Sequence, residues 1–211
     1  MKDLFKGSLT VPNLLTVIRI LLIPVFAALF YNDNLGWALV VLFISGLTDL
    51  LDGKIARRFN QVSALGKILD PIADKLTQIT IAVMLFFEFN RAQNTILKAF
   101  SWVFLLFLLK EGIMLVGGAV MLAKGIRPGA SEIVGKVATL VFYCVMLIII
   151  GFGPEVGALA KYNPESTLIL PDWLLIVMVS VSVILAFAAF ISYLPEIIRQ
   201  FKEDAREKKN K

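Results

Sequence analysis

Six long apolar stretches alternate with short polar breaks along the chain, at 10–31, 35–57, 66–88, 94–123, 131–152 and 170–194. Each supplies the roughly 20 residues that a helix needs to cross a bilayer. The pattern predicts an all-α integral membrane protein with about six transmembrane helices, forming one transmembrane domain over 1–194. A charged cytoplasmic tail is expected at 195–211, where Lys and Arg mix with Glu203, Asp204 and Glu207. The remaining polar segment of any size, 153–169, is rich in turn formers such as Gly153, Pro154, Gly157 and Pro164. Function is therefore expected in the helices and at their ends.

Composition agrees with this class. Of 211 residues, 58% are hydrophobic, and the mean hydropathy of +0.82 is too high for a soluble domain of this length. The first apolar run resembles a signal peptide in following Lys2 and Lys6. Arg19 interrupts it, however, and bulky Leu29, Phe30 and Tyr31 stand where a cleavage site needs small residues, so it is read as a retained helix. The single Cys144 excludes an internal disulfide.

Basic residues set the expected orientation. Lys2 and Lys6, then Lys54, Arg57, Arg58 and Lys67, then Lys124 and Arg127, then the tail, all fall on alternate connections; the intervening loops hold Arg91 and Lys161. By the positive-inside rule both termini and the 49–74 region face the cytoplasm, in the inner (cytoplasmic) membrane. The net charge of +5 is explained by anionic headgroups and calls for no nucleic-acid partner.

Four aspartates carry the chemistry. They follow the pattern Asp49-x2-Asp52-Gly53-x2-Ala56-Arg57-x8-Gly66-x3-Asp70-x3-Asp74. Residues three or four apart share a helix face, so Asp49 pairs with Asp52 and Asp70 with Asp74. Leu35 to Asp49 is fourteen steps, or about 21 Å of helix rise, which places the first pair near the cytoplasmic interface. The second pair reaches a similar level from the opposite chain direction. An aspartate well inside a span costs about 2.5–3.5 kcal/mol on insertion scales, so four at one level need a compensating charge. Four carboxylates suit hard divalent cations. Read structurally, the same acids are solvated caps, with Asp70-Pro71 as a helix start. Gly53 and Ala56, one turn beyond Asp49 and Asp52, leave room for a nucleotide or diphosphate, and Arg57 offers a fork for phosphate oxygens. Close helix packing is the alternative for Gly53 and Gly66.

With those residues in place the chain resembles the CDP-alcohol phosphotransferase family, whose signature D-x2-D-G-x2-A-R-x8-G-x3-D-x3-D is matched at every fixed position. The opening Pro12-Asn13-x2-Thr16-x2-Arg19 is similar to the family's first helix. Asn13, Thr16 and Arg19 would then line the nucleotide side; the alternative is a helix cap by Asn13 and an interior ion pair for Arg19. The resemblance implies attack by an alcohol on the β-phosphorus of CDP-diacylglycerol, with release of CMP. It implies that Asp49, Asp52, Asp70 and Asp74 hold two divalent metal ions, Mg²⁺ or Mn²⁺, with Asp74 also the general base. Gly53, Ala56 and Arg57, with Asn13 and Thr16, would bind the CDP-lipid, and a homodimer is implied as well.

The acceptor turns on basic residues able to bind a second phosphate. Lys110, inside an apolar run beside Glu111, together with Arg127 and Lys136, are the candidates for glycerol 3-phosphate. Equally, Lys110 and Glu111 form a structural pair and Lys136 snorkels. Gly135-Lys136-x2-Thr139 is similar to a segment of the family's phosphatidylglycerophosphate synthases, although these often have Arg-Glu where this chain has Lys110-Glu111. Glycerol 3-phosphate is thus the leading acceptor and phosphatidylglycerol, as used by cardiolipin synthases, the second. A divalent-cation or proton-coupled transporter is a remote third reading, since the acids cluster at one end and no second half repeats their pattern.

Overall fold

The computed structural model describes residues 10–59, 63, 65–123 and 133–209. Each apolar stretch folds as a helix because its backbone groups, once away from water, find partners only within the chain. The elements are α1 (Val11–Tyr31), α2 (Leu35–Arg58), α3 (Gly66–Arg91), α4 (Thr95–Phe100), α5 (Trp102–Ala123), α6 (Ile133–Phe152), α7 (Ala158–Tyr162) and α8 (Asp172–Lys209). Among the described residues every regular element is helical.

Local signals explain the ends. The Thr10 side chain accepts the Asn13 backbone N–H and Pro12 occupies the first turn, which together start α1. Its end closes on the Asn32 N–H, which donates to the Ala28 carbonyl, and Asp33 adopts φ 59° to reverse the chain into α2. α3 begins at Gly66 rather than at Asp70-Pro71. The Gly66 N–H donates to Ser63 Oγ at 2.8 Å, so the first turn is secured before the proline.

Three regions differ in detail from the apolar pattern. The fourth stretch divides at Ser101, whose N–H is shared between the carbonyls of Leu97 and Lys98, while its hydroxyl also donates to Lys98. The turn-rich segment contains the short α7, drawn in by tight packing at Gly157, where a Cβ would lie 2.5 Å from the Gly153 nitrogen. α8 does not stop at residue 194 but continues past Pro195 to Lys209, so the expected tail is a helical extension as far as it is described.

Among the described residues five helical segments are long and apolar enough to cross a membrane: Val11–Tyr31, Leu35–Ala56, Thr95–Met121, Val134–Phe152 and Asp172–Lys202. α3 has the length, 26 residues, but carries Asp70, Asp74 and Lys75 in its first half. It is packed against α1 and α5, while α6 packs on α8 and α2. Phe89 and Phe104 join α3 to α5 edge to face, and Phe107 stacks on Phe142 with centroids 4.6 Å apart, joining α5 to α6. This apolar core occupies one end and the middle of the bundle. At the loop end beyond the core, the Lys161 ammonium bridges Asp33 and Glu88, tying α7 to the α1–α2 turn and to α3. Burial disfavours its charged form, but the hydrogen bonds to both carboxylates outweigh that and hold its pKa above the ordinary lysine range.

Candidate active site

At the other end, the start of α1, the end of α2 and the start of α3 converge. Buried polar side chains replace apolar ones there: Asn13, Thr16, Arg19, Asp52, Thr77 and Gln78. Arg19 is 1% exposed and lies at the centre. Its Nη1 is 2.8 Å from Asp49 Oδ1 and 2.9 Å from Asp74 Oδ1, and its Nη2 pairs with Asp52 Oδ2. The helix spacing delivers this: Asp49 and Asp52 project from one face of α2 while Asp74 enters from α3. Of the two readings open for Arg19, the interior ion pair is the one found.

Asp70 sits beside this cluster on α3, and the Thr16 hydroxyl donates to its Oδ1 at 2.6 Å. Asn13 is buried in the first turn of α1 and is not its cap, which is Thr10. Its Oδ1 accepts from Ser63 Oγ at 2.9 Å, linking α1 to the segment that opens α3. A Cβ at Gly66 would come within 2.5 Å of that same Oδ1, so the glycine of the sequence pattern permits the contact. Close approach, rather than backbone freedom, is its role here.

Gly53, Ala56 and Arg57 follow Asp49 on α2, from one turn to just over two turns further along. The surroundings of Gly53 and the side chain of Arg57 fall outside what is described, as does Arg127 altogether.

Asp74 also borders a cavity of about 490 Å³ between α3, α5, α6 and α8. Its walls are mainly apolar, with Phe107, Met114, Phe142, Ala186 and Phe190 among them. Gly135 admits Tyr193, whose hydroxyl would lie 2.1 Å from a Cβ at that position. Lys110 and Glu111 line the same cavity, and they are not an isolated pair. Lys75 of α3 reaches Glu111 Oε2 at 2.6 Å, while Lys110 pairs with Oε1. Lys136 is exposed and does not line the cavity, although its neighbours Gly135 and Thr139 do. The structure thus brings Lys110 to the carboxylate end and leaves Lys136 aside. Sequence reasoning missed Lys75. The available signal was a lysine directly after Asp74 on a helix with apolar neighbours, where a charge needs a partner.

The fit to divalent cations rests on charge and donor type. Among the described residues, four carboxylates gather around a single guanidinium, and carboxylate oxygens are the ligands that hard cations take. Among the described residues no three acidic, His or Cys side chains are gathered as a ready cation site. Arg19 stands between three of the four carboxylates and carries the positive charge itself.

A helical membrane protein with a carboxylate cluster opening onto an apolar cavity is thereby defined. The chain belongs to the CDP-alcohol phosphatidyltransferase family, whose family model matches residues 9–184. It is 36% identical over 152 residues to the cardiolipin synthase (CMP-forming) of Streptomyces coelicolor, covering 69% of this chain and 67% of the relative. It is 32% identical over 196 residues to a putative cardiolipin synthase of Mycobacterium tuberculosis (91% and 86% covered). It is 33% identical over 186 residues to the CDP-diacylglycerol–glycerol-3-phosphate 3-phosphatidyltransferase of Aquifex aeolicus (88% and 94% covered).

Proposed function

We propose that the protein transfers a phosphatidyl group from CDP-diacylglycerol to glycerol 3-phosphate, giving phosphatidylglycerophosphate and CMP. The observation that carries this reading is the junction at Asp74 between the carboxylate cluster and the cavity, in a chain of this family. A CDP-lipid on the α2 side and an alcohol in the cavity would meet at that side chain.

Asp49, Asp52, Asp70 and Asp74 would hold two divalent cations, Mg²⁺ or Mn²⁺. When bound, these supply charge stabilisation for the diphosphate and the leaving CMP. Asp74 takes the proton of the acceptor hydroxyl as its oxygen bonds to the β-phosphorus and the bond to CMP breaks. Thr16 fixes Asp70 through its hydroxyl, Arg19 fixes the other three carboxylates, and Arg57 serves the diphosphate.

Six spans, with both termini and the aspartates on the cytoplasmic side, fit the distribution of Lys and Arg and let water-soluble glycerol 3-phosphate and CMP exchange with the cytosol. A homodimer accords with the family. A second acceptor is favoured by one observation, the mainly apolar cavity wall, which suits a lipid such as phosphatidylglycerol and hence a cardiolipin synthase.

The deciding experiment supplies radiolabelled glycerol 3-phosphate with CDP-diacylglycerol and Mg²⁺ to the purified protein and follows label into the lipid phase. Label in the lipid supports the proposal. Absence of label, with phosphatidylglycerol converted to cardiolipin instead, replaces it with the second reading.

A further inference from the structure

Two lysines and one glutamate meet inside the bundle, on the wall of the cavity that Asp74 borders. Glu111 is fully buried, and each of its oxygens faces one ammonium group, Lys75 from α3 and Lys110 from α5. Both lysines line the cavity. Asp74, also on this wall, belongs to the Arg19 cluster, and the trio by itself, two ammonium groups against one carboxylate, carries one positive charge in excess among the described residues. Excess charge in an apolar enclosure is costly unless an anion joins it.

The donors also exceed their protein partners. Each ammonium has three N–H donors, and each faces a single oxygen of Glu111 at ion-pair distance. Lys75 otherwise rests 3.8 Å from the Met114 sulfur, and Lys110 lies 4.9 Å from the centre of the Phe107 ring. Both neighbours are soft contacts that an oxyanion can displace at small cost. Lys75 is moreover the residue after Asp74, so an anion held by it stays within reach of the proposed base.

We infer that Lys75 and Lys110 together hold the phosphate of the acceptor alcohol, and that Glu111 positions both ammonium groups for it. The inference rests on the transfer reaction proposed above and adds Lys75 as an acceptor-binding residue. The shared chemistry is an alcohol bearing a phosphate, whether the free dianion of glycerol 3-phosphate or the phosphodiester of phosphatidylglycerol. Glu111 touches no substrate and is a positioning residue.

The test compares the unmutated protein with Lys75→Met, which leaves Lys110 and Glu111 as a neutral pair, and with Lys75→Arg, which keeps the charge. CMP release is followed against the concentration of glycerol 3-phosphate, of phosphatidylglycerol in detergent, and of glycerol as the phosphate-free control. For whichever phosphate-bearing acceptor is used, Lys75→Met should raise its half-saturating concentration by about ten- to a hundredfold. The value for CDP-diacylglycerol should stay within about twofold, and Lys75→Arg should recover most of the loss. A fall in maximal rate with unchanged half-saturation, or an equal rise for both substrates, overturns the inference. Thermal melting without CDP-diacylglycerol gives a readout independent of turnover. Glycerol 3-phosphate or phosphatidylglycerol should stabilise the unmutated protein more than glycerol does, and Lys75→Met should abolish the difference. Equal melting with glycerol and both phosphate-bearing ligands overturns the inference without any variant. Absence of CMP release from the unmutated protein defeats the proposed reaction alone, and the melting comparison then still decides the phosphate site.

Discussion

Replacing Arg19 with methionine removes the cation that, among the described residues, pairs with Asp49, Asp52 and Asp74, while keeping an unbranched side chain. The three carboxylates do not contribute alike. Asp52 is 5% exposed, and breaking a buried ion pair of this kind costs about 3–5 kcal/mol. Asp49 and Asp74 each keep about a third of their side-chain exposure, so solvent screens them and each adds about 0–1 kcal/mol. Asp52 therefore dominates, and the total is expected at about 3–7 kcal/mol. For a chain of this size that corresponds to a fall in melting temperature of roughly 6 °C or more. The assay is thermal unfolding in detergent with EDTA, then with Mg²⁺. Arg19→Met should melt well below the unmutated protein in EDTA and regain part of the loss in Mg²⁺, because a divalent cation restores the missing positive charge. Arg19→Lys, which keeps the charge but not the fork, should fall between. Melting of Arg19→Met indistinguishable from the unmutated protein in EDTA would show that the guanidinium is not the counter-charge.

Other substitutions probe the remaining parts of the site. Asp74→Asn should lower CMP release by at least a hundredfold while CDP-diacylglycerol binding persists, and lost binding would remove the base from its assigned role. Asp70→Asn should shift the Mg²⁺ titration of activity to higher concentration; an unchanged curve takes Asp70 out of the cation site. Gly66→Ala pushes a methyl group against Asn13 Oδ1 and should cost about 1–3 kcal/mol in melting experiments, with Asn13→Ala recovering part of it if that contact is the cause. Preservation of full stability in Gly66→Ala would show that the helix start yields freely.

The helices were legible because burial in a bilayer demands long apolar runs, and turns at 32–34 and 92–94 are marked by Asn, Asp and Gln between them. Boundaries were less so: the split at Ser101 and the run of α8 through Pro195 depend on local hydrogen bonding that hydropathy does not encode. In the site, Asp49, Asp52 and Asp74 announced themselves by helical spacing, whereas the choice between nucleotide contact and ion pair for Arg19 required the relative placement of α1, α2 and α3. Lys75 shows the limit most clearly. Its partner Glu111 lies 36 residues away on α5, and only the packing of α3 on α5 joins them. The Asp70-Pro71 step looked like a helix start, but Ser63 and Gly66 had already satisfied the first turn upstream.

The most direct test of the account is CMP release by the purified protein in detergent with CDP-diacylglycerol, glycerol 3-phosphate and Mg²⁺. CMP should appear in equal amount to the new phospholipid, requiring both substrates and abolished by EDTA. Release of CMP that is indifferent to EDTA, or no release with either glycerol 3-phosphate or phosphatidylglycerol, would contradict it.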